Sequence, residues 1–588
     1  MMFFPNRTPN YDKYPEIKIK GHFGAAWPNY EAFLPMLRQK LNLQASNKQV
    51  LVIDCYHGVR LDEIEKGLLG PLSPSVIIRS DDAKLPENII GKKLERNITD
   101  DRVFGVLSTH KLTEFFDLGR LDDLRSQAAA GHGLVAIIGV GASLVAKGDI
   151  LIYADMPRWE LQQRFRKKEL DNWGAGNFDE DILRKYKRGY FIEWRVFDRH
   201  KRDIYADVDF FLDTTLQDTG KAVTGAALRD GIRQAAHQPF RLLPYFDAGI
   251  WGGKWMEEVC GLPPGKHNMA WCFDGVPEEN AVRLQIDGIS IEIPSINIVH
   301  QQPEQLLGQK VYARFGAEFP IRFDFLDTMN GGHLSLQVHP TTGYIQENFG
   351  MHYTQEESYY ILDAGEDACV YLGFKDGIDP KEFINDLREA QKKGGFFDDT
   401  KYINCIPIKK HDHLLIPQGT VHCSGANSMV LEISSTPYIF TFKLWDWGRV
   451  GLDGIPRPVH VEHGKNVVQY SQTTDWVMEN LVNNVKHVAE GDGWTEESTG
   501  LHETQFIETR RHRFKEPVMH YTGGSVNVLN LVEGEEAVVE SPTGTFEPFV
   551  VHFAETFILP AAVGSYVIKP HGKSIGQEIV TIKASVRI

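Results

Sequence analysis

The chain has little cysteine. Six thiols, Cys55, Cys260, Cys272, Cys369, Cys405 and Cys423, are scattered over 588 residues with no CxxC spacing. Neither a disulfide framework nor a cysteine zinc site is indicated, so any metal must be held by histidine, carboxylate or amide groups. Long apolar runs are missing as well. The longest, "LVAIIGVGASLVA" from residue 134, is too short to cross a bilayer, and the opening "MMFFPNRTPNYDKYPEIKIK" lacks the apolar stretch of a signal peptide. A cytoplasmic location is expected. Basic residues are outnumbered: the formal net charge is −16 and the pI is near 5.8. A nucleic-acid or membrane-surface binder would need a large basic excess somewhere, so neither is expected, and a small molecule is the expected partner. Oligomeric state is not legible.

What is present is a long globular chain, 42% hydrophobic, that must divide into several cores. Residues 51 to about 215 carry short apolar runs, "LVIDC", "SVIIR", "VFGVL", "LVAIIGVGA", "ILIYAD" and "FFLD", separated by helix-like polar stretches. That pattern predicts a parallel sheet covered on both faces, in an α/β domain over 1–240. Between Arg158 and Arg202 thirteen Lys and Arg face eight Asp and Glu. A solvated helical face is the plain expectation for such a run. The stretches "MPRWELQQRFRKKE" and "ILRKYKRGYFIEWR" resemble the basic lid of P-loop nucleoside and nucleotide kinases. The resemblance breaks after "LVIDC", where "YHGVRLDEIEKG" has no GxxxxGK[ST]: the amide cradle and the phosphate lysine are missing. A kinase-like shell without nucleotide chemistry is expected.

From about residue 320 the texture changes to strands with Gly and Pro turns, and the chain repeats itself. "YILDAGEDACV" at 360 is echoed by "LNLVEGEEAVV" at 529, and "LIPQGTVH" at 415 by "ILPAAVGS" at 558. Gly365 to Ile416 spans 51 positions but Gly534 to Leu559 only 25, so the first copy holds 26 extra residues. "DPKEFINDLREAQKKGG" accounts for them as a helix, with Asp379 as N-cap, Pro380 first and Gly394 as stop. Two tandem all-β barrels are expected: one over 241–495 interrupted by a helix at about 376–402, the other over 496–588.

The first barrel carries a polar set. In "LSLQVHP", strand alternation puts Ser335, Gln337 and His339 on one face. Alone this suits the wet face of any half-buried strand. But Glu357 heads the strand-like "EESYYIL", and the turn of "IPQGTVH" leads to Thr420 and His422 on one face. Gln337, His339, Glu357 and His422 make a plausible ligand set for Zn²⁺ or a similar divalent ion, one per chain. The second copy aligns Val526 with Glu357 and Ser565 with His422, so it is expected to be metal-free.

Over about 245–588 the chain resembles the type I phosphomannose isomerases, zinc-dependent bicupin (double jelly-roll) enzymes. The motifs that carry the resemblance are "IWGGKW", "LLGQKVYARFGAEFPIRFDFLDT", "LSLQVHP", "EESYYIL", "GFKDG", "IPQGTVH" and "FKLWDWGRVGLDGIPRPVH". It implies that Gln337, His339, Glu357 and His422 are zinc ligands. The departures are specific. Asp324 stands where the family has the lysine of "FPLLVKLLD", Gln355 where "GKTE" has lysine, and Lys443 where an arginine is common. Met269 and Cys272 replace both glutamates of "GEAWE", whereas Asp446 and Arg449 are kept.

Moving a proton between C1 and C2 of a sugar creates enediol charge that must be held. Lys443, Asp446 and Arg449 are the candidates for phosphate binding and charge stabilisation; the base is not identified. Three functions fit: a metal-dependent isomerase interconverting mannose 6-phosphate and fructose 6-phosphate, an isomerase or epimerase of another sugar, or a sugar-binding regulatory protein without catalysis.

Overall fold

The computed structural model describes residues 8–41, 48–265, 268–393, 395–502 and 504–587. It divides into two compact units. One is Glu16–Ala235 with Ala281–Gln301; the other is Met1–Pro15, Ala236–Asn280 and Gln302–Ile588. The chain therefore leaves the first unit and returns to it, unlike the single crossing near residue 240 expected from sequence. The return segment is a hairpin, Ala281–Ile286 with Ile289–Pro294, whose first strand pairs in parallel with Ile17–Ile19. Its alternating apolar residues bury one face in this unit, as with Leu284, Ile286, Ile291 and Ile293.

The first unit is built on a seven-stranded sheet. Its order is Ala26–Trp27, Lys221–Thr224, Phe210–Asp213, Ile150–Asp155, Gln49–Cys55, Leu134–Gly139 and Val76–Arg79. The last five run parallel, and Lys221–Thr224 is antiparallel to its neighbours. Four of the apolar runs, "LVIDC", "LVAIIGVGA", "ILIYAD" and "FFLD", supply the buried middle strands, whereas "SVIIR" supplies a half-exposed edge strand and "VFGVL" forms no strand. The loop that follows Gln49–Cys55 is packed shut. A Cβ on Gly58 would lie 2.7 to 3.1 Å from side-chain carbons of Leu161, Met156 and Leu170, so apolar groups fill the space a phosphate cradle would need.

The basic segment differs from the solvated face expected for it. Arg158, Arg164, Lys185, Lys187, Arg188 and Lys201 are all buried. Their donors go to loop carbonyls and buried carboxylates: Lys185 Nζ to Leu170 O (2.8 Å) and Phe178 O (2.6 Å), Arg164 to Gly58 O (2.6 Å) and Thr214 O (3.0 Å), and Lys201 Nζ to Asp155 (3.1 Å). Arg158 is paired with Asp198. The charge excess is thus spent inside the fold, where an unpaired ion would be costly.

The second unit contains two β-sandwich barrels in tandem. The first pairs a six-stranded sheet (His413–Ile416, Glu357–Ala364, Ser428–Ser435, Ile321–Asp327, Met269–Gly275, Tyr245–Gly253) with a five-stranded one (Ile403–Pro407, Cys369–Phe374, His422–Ser424, Leu336–Val338, Phe442–Trp445). The second barrel repeats this with six strands and four. The helix Pro380–Lys393 lies between Cys369–Phe374 and Ile403–Pro407, and the Asp379 carboxylate accepts from Lys381 N at 2.8 Å to cap it. Gly394, the expected stop, lies outside the described residues. The second barrel begins earlier than the expected 496: its sheet starts with the hairpin Lys486–Gly491 and Trp494–Ser498, whose exposed first strand carries no apolar alternation to announce it.

Candidate functional site

Short strands of the first barrel bring together the residues that sequence alternation placed on one face. Gln337 and His422 are directly opposite on neighbouring antiparallel strands, with Gln337 Nε2 3.2 Å from His422 Nε2. His339 Nε2 lies 3.1 Å from one oxygen of Glu357 and His422 Nε2 lies 2.7 Å from the other. One potential ligand atom from each of His339, Glu357 and His422 lies within 4.8 Å of the other two, and all three residues are buried.

The hydrogen bonds behind these rings decide what the cluster can do. His339 Nδ1 faces the carbonyl of Phe440 (3.2 Å) and His422 Nδ1 that of Thr420 (2.9 Å). A carbonyl only accepts, so each Nδ1 carries the proton and each Nε2 turns a lone pair toward the Glu357 carboxylate. Lone pairs facing lone pairs in a dry interior repel unless a cation lies between them. His339 Nε2 and Glu357 Oε1 have no hydrogen-bond partner despite full burial, which fits that need. Burial works against ionisation of Glu357, and only positive charge at the two Nε2 positions, from protons on His339 and His422 or from a cation between them, holds its pKa well below the carboxylate range. The donor set of two imidazoles, a carboxylate and an amide suits a divalent cation of the zinc type.

A second row of polar groups crosses the facing sheet. Tyr359, Glu432 and Asp324 are cross-strand neighbours, one step along their strands from Glu357. Arg322 bridges them, donating to Asp324 (2.9 Å) and Glu432 (2.6 Å), while Gln355 Nε2 donates to Glu357 (2.9 Å). Burial raises the Asp324 pKa to about 7, with Arg322 opposing, and burial and Asp324 push Glu432 upward. Asp324 Oδ1 and Gln355 Oε1 are buried without partners. Arg322, Glu432 and Tyr359 escaped sequence reading. The signal was the repeated alternation in "IRFDF" and "VLEIS", which placed charges where an apolar strand face was expected.

The residues expected to handle substrate charge separate into two places. Lys443 stands opposite Gln337 on the adjoining strand and is partly buried. Asp446 is buried beyond the end of that strand, accepting from Ser335 Oγ (2.8 Å), Arg449 Nη2 (2.7 Å) and Arg457 Nη1 (3.1 Å). Ser335 is two residues from Gln337, roughly 7 Å along the strand. Arg449 also donates to the carbonyl of His333 at 2.7 Å. Arg457 was missed because it lies in a Pro-rich loop with no periodicity. Cys272 is away from the row: its neighbour Phe273 is the residue paired with Asp324, and burial and Asp274 raise the Cys272 thiol pKa far above normal. Met269 is partly buried at the start of its strand.

In the second barrel the alignment of Val526 and Ser565 is one residue out of phase with the lumen. The inward positions are Asn527 and Tyr566, whose side chains share a hydrogen bond of 2.9 Å, and His520 stacks on Tyr566 at 5.3 Å. A shift of one residue exchanges the faces of a strand.

Comparison with known proteins gives two independent matches. A family model described as a domain of unknown function, DUF8485, matches residues 30–237. A mannose-6-phosphate isomerase of Streptococcus mutans is 26% identical over 233 residues, which cover 39% of this chain and 68% of that protein. A probable mannose-6-phosphate isomerase of Bacillus subtilis is 24% identical over 232 residues, covering 39% and 68%. Among solved structures, the mannose 6-phosphate isomerase from Bacillus subtilis aligns with a TM-score of 0.47 at 19% identity, over 59% of this chain and 99% of that one. No described helix is long and apolar enough to cross a membrane.

Proposed function

We propose that the first barrel is a metal-dependent aldose–ketose isomerase that interconverts mannose 6-phosphate and fructose 6-phosphate. The observation that carries this reading is the pair of imidazoles fixed through Nδ1 to carbonyls, both aiming Nε2 at Glu357. The names of the Streptococcus and Bacillus relatives support the substrate class. His339, His422, Glu357 and Gln337 would hold the ion, with Zn²⁺ the first expectation and Fe²⁺, Co²⁺ or Ni²⁺ compatible with the same donors. When bound, such an ion supplies Lewis-acid stabilisation of charge developing on the sugar oxygens.

The remaining roles belong to side chains of the chain itself. Lys443, beside Gln337, holds negative charge that develops next to the cluster. Arg449 and Arg457, both oriented by Asp446, form a cationic pair for a phosphate group. Asp324, Gln355 and Tyr359 offer buried polar atoms to sugar hydroxyls.

A second reading is an isomerase of a sugar without phosphate. Asp324 and Gln355 favour it, because they give the lumen acceptors where the resembling family has lysines. A coupled assay of metal-loaded protein on mannose 6-phosphate and on free mannose decides. Turnover of the ester supports the first reading and turnover of free sugar the second. No turnover of any sugar would overturn both and leave a sugar-binding protein.

A further inference from the structure

The second barrel has a polar mouth that the proposed isomerase does not use. The inner face of its six-stranded sheet is apolar at one end, where Phe514, Ile579, Leu529 and Leu531 join the core. Along the same face the residues turn cationic. Lys583 is directly opposite both Leu529 and Arg510. Two like charges facing each other across strands are unfavourable. Arg510 is compensated by Glu508 (2.7 Å) and Glu496 (3.2 Å). For Lys583 burial lowers the pKa, with Arg510 adding to the fall and the Glu496 and Glu508 carboxylates opposing it.

The face continues outward into a cavity of about 300 Å³, at the small end of the range for small-molecule sites. Lys486 is opposite Ser498, and Ser498 opposite Arg510, so both belong to this face. Arg587 enters from the C-terminal strand's end; its Nη2 donates to His502 O at 2.8 Å, while its buried Nε has no partner. Glu508 is the cavity's carboxylate among the described residues, and it is already tied to Arg510. What lines the space is therefore an ammonium, a guanidinium and a hydroxyl, together with the amides of Asn480 and Asn484, each of which already donates to a backbone carbonyl.

We propose that this cavity binds a phosphate group, free or esterified to a small sugar, with Lys486 and Arg587 as its charged contacts and Lys583 strengthening the field beneath. An ammonium and a guanidinium around one compact space match an oxyanion with several acceptor oxygens, which a neutral sugar lacks. The cavity is lined by Leu415 of the first barrel as well as by Lys486 and Arg587 of the second, its charged contacts are not the metal-cluster residues, and the proposal does not rest on the isomerase reading.

Calorimetric titration of the full chain carrying Arg449→Met and Arg457→Met, which removes the first-barrel phosphate pair, tests this with inorganic phosphate, mannose 6-phosphate and mannose. Saturable binding of phosphate or of the ester is expected, with none of mannose. Tighter binding of inorganic phosphate identifies the free ion as ligand, and tighter binding of the ester identifies the sugar phosphate. Adding Lys486→Glu, an exposed substitution that the fold tolerates, should weaken the affinity at least tenfold; adding Lys583→Met should weaken it less. Absence of saturable anion binding, mannose binding that Lys486→Glu weakens as much as anion binding, or an anion affinity unmoved by Lys486→Glu would overturn the proposal.

Discussion

Gln337 and Lys443 stand directly opposite each other on adjoining antiparallel strands, so an ammonium leaves the same sheet face as a candidate metal ligand. This pairing brings Lys443 closer in register to Gln337 than Arg449, which is drawn aside by Asp446 and His333 O. Lys443→Ala should lower kcat/KM for mannose 6-phosphate by roughly tenfold to a hundredfold, the loss of one charge-assisted hydrogen bond of about 1.5–3 kcal/mol. Arg449→Met should act mainly on KM. Steady-state kinetics of the two variants beside the parent check this; an unchanged Lys443→Ala enzyme would remove the residue from the site.

Purified parent protein should carry one divalent ion per chain, and His339→Ala should carry little. Because the ion binds only the folded barrel, saturating it at a hundredfold over Kd should stabilise by about 2.7 kcal/mol, and a chelator should remove that gain. Elemental analysis with thermal unfolding reads both; equal metal in parent and variant would refute the ligand assignment.

Arg322 is the counter-ion of two buried carboxylates, Asp324 and Glu432. Arg322→Met should therefore destabilise the first barrel by roughly 3–5 kcal/mol at alkaline pH, where both carboxyls are ionised, and by less near neutral pH, where their raised pKa values let them take up protons. Asp324→Asn, which leaves Arg322 paired with Glu432, should cost much less. Denaturant unfolding of the two variants distinguishes this from a merely steric effect, in which they would rank the other way.

The Gly58 loop packs against Leu161, Met156 and Leu170 and part of the basic segment bonds internally, so tight nucleotide binding is not expected at the end of Gln49–Cys55. Calorimetric titration with Mg-ATP should be flat under conditions that reveal micromolar ligands. Binding abolished by Arg158→Ala would show that the segment keeps an anion site after all.

Glu193 is fully buried, and burial raises its pKa to about 7 against the opposing pull of Arg188. A carboxyl whose folded pKa exceeds its unfolded value near 4.5 adds stability below the unfolded pKa, and loses it as pH rises through about 7. The first unit should accordingly become less stable between about pH 5 and pH 8, Glu193 accounting for at most roughly 3 kcal/mol. In Glu193→Gln that fall should be shallower. A melting profile against pH in both proteins measures it, and parallel profiles would count against the assignment.

Local pattern was enough for much of this molecule. Alternation in "LSLQVHP" determined that Ser335, Gln337 and His339 share a face, because successive strand side chains must point opposite ways. Asp379 and Pro380 marked the inserted helix through capping and fixed φ, and four of the apolar runs announced parallel strands buried on both faces, while "VFGVL" proved to be no strand. Other features needed partners far away in the chain. The carbonyls of Phe440 and Thr420 set which nitrogen of each histidine is free, and one of them is about a hundred residues from the ring it orients. Arg322 met Glu432 only through strand pairing, the basic segment was buried only by the loops whose carbonyls it binds, and Asn527 rather than Val526 faces inward only because of register. A strand's own residues fix which of them share a face; which face is inward, and what waits across from it, is chosen by the strands that come to lie beside it.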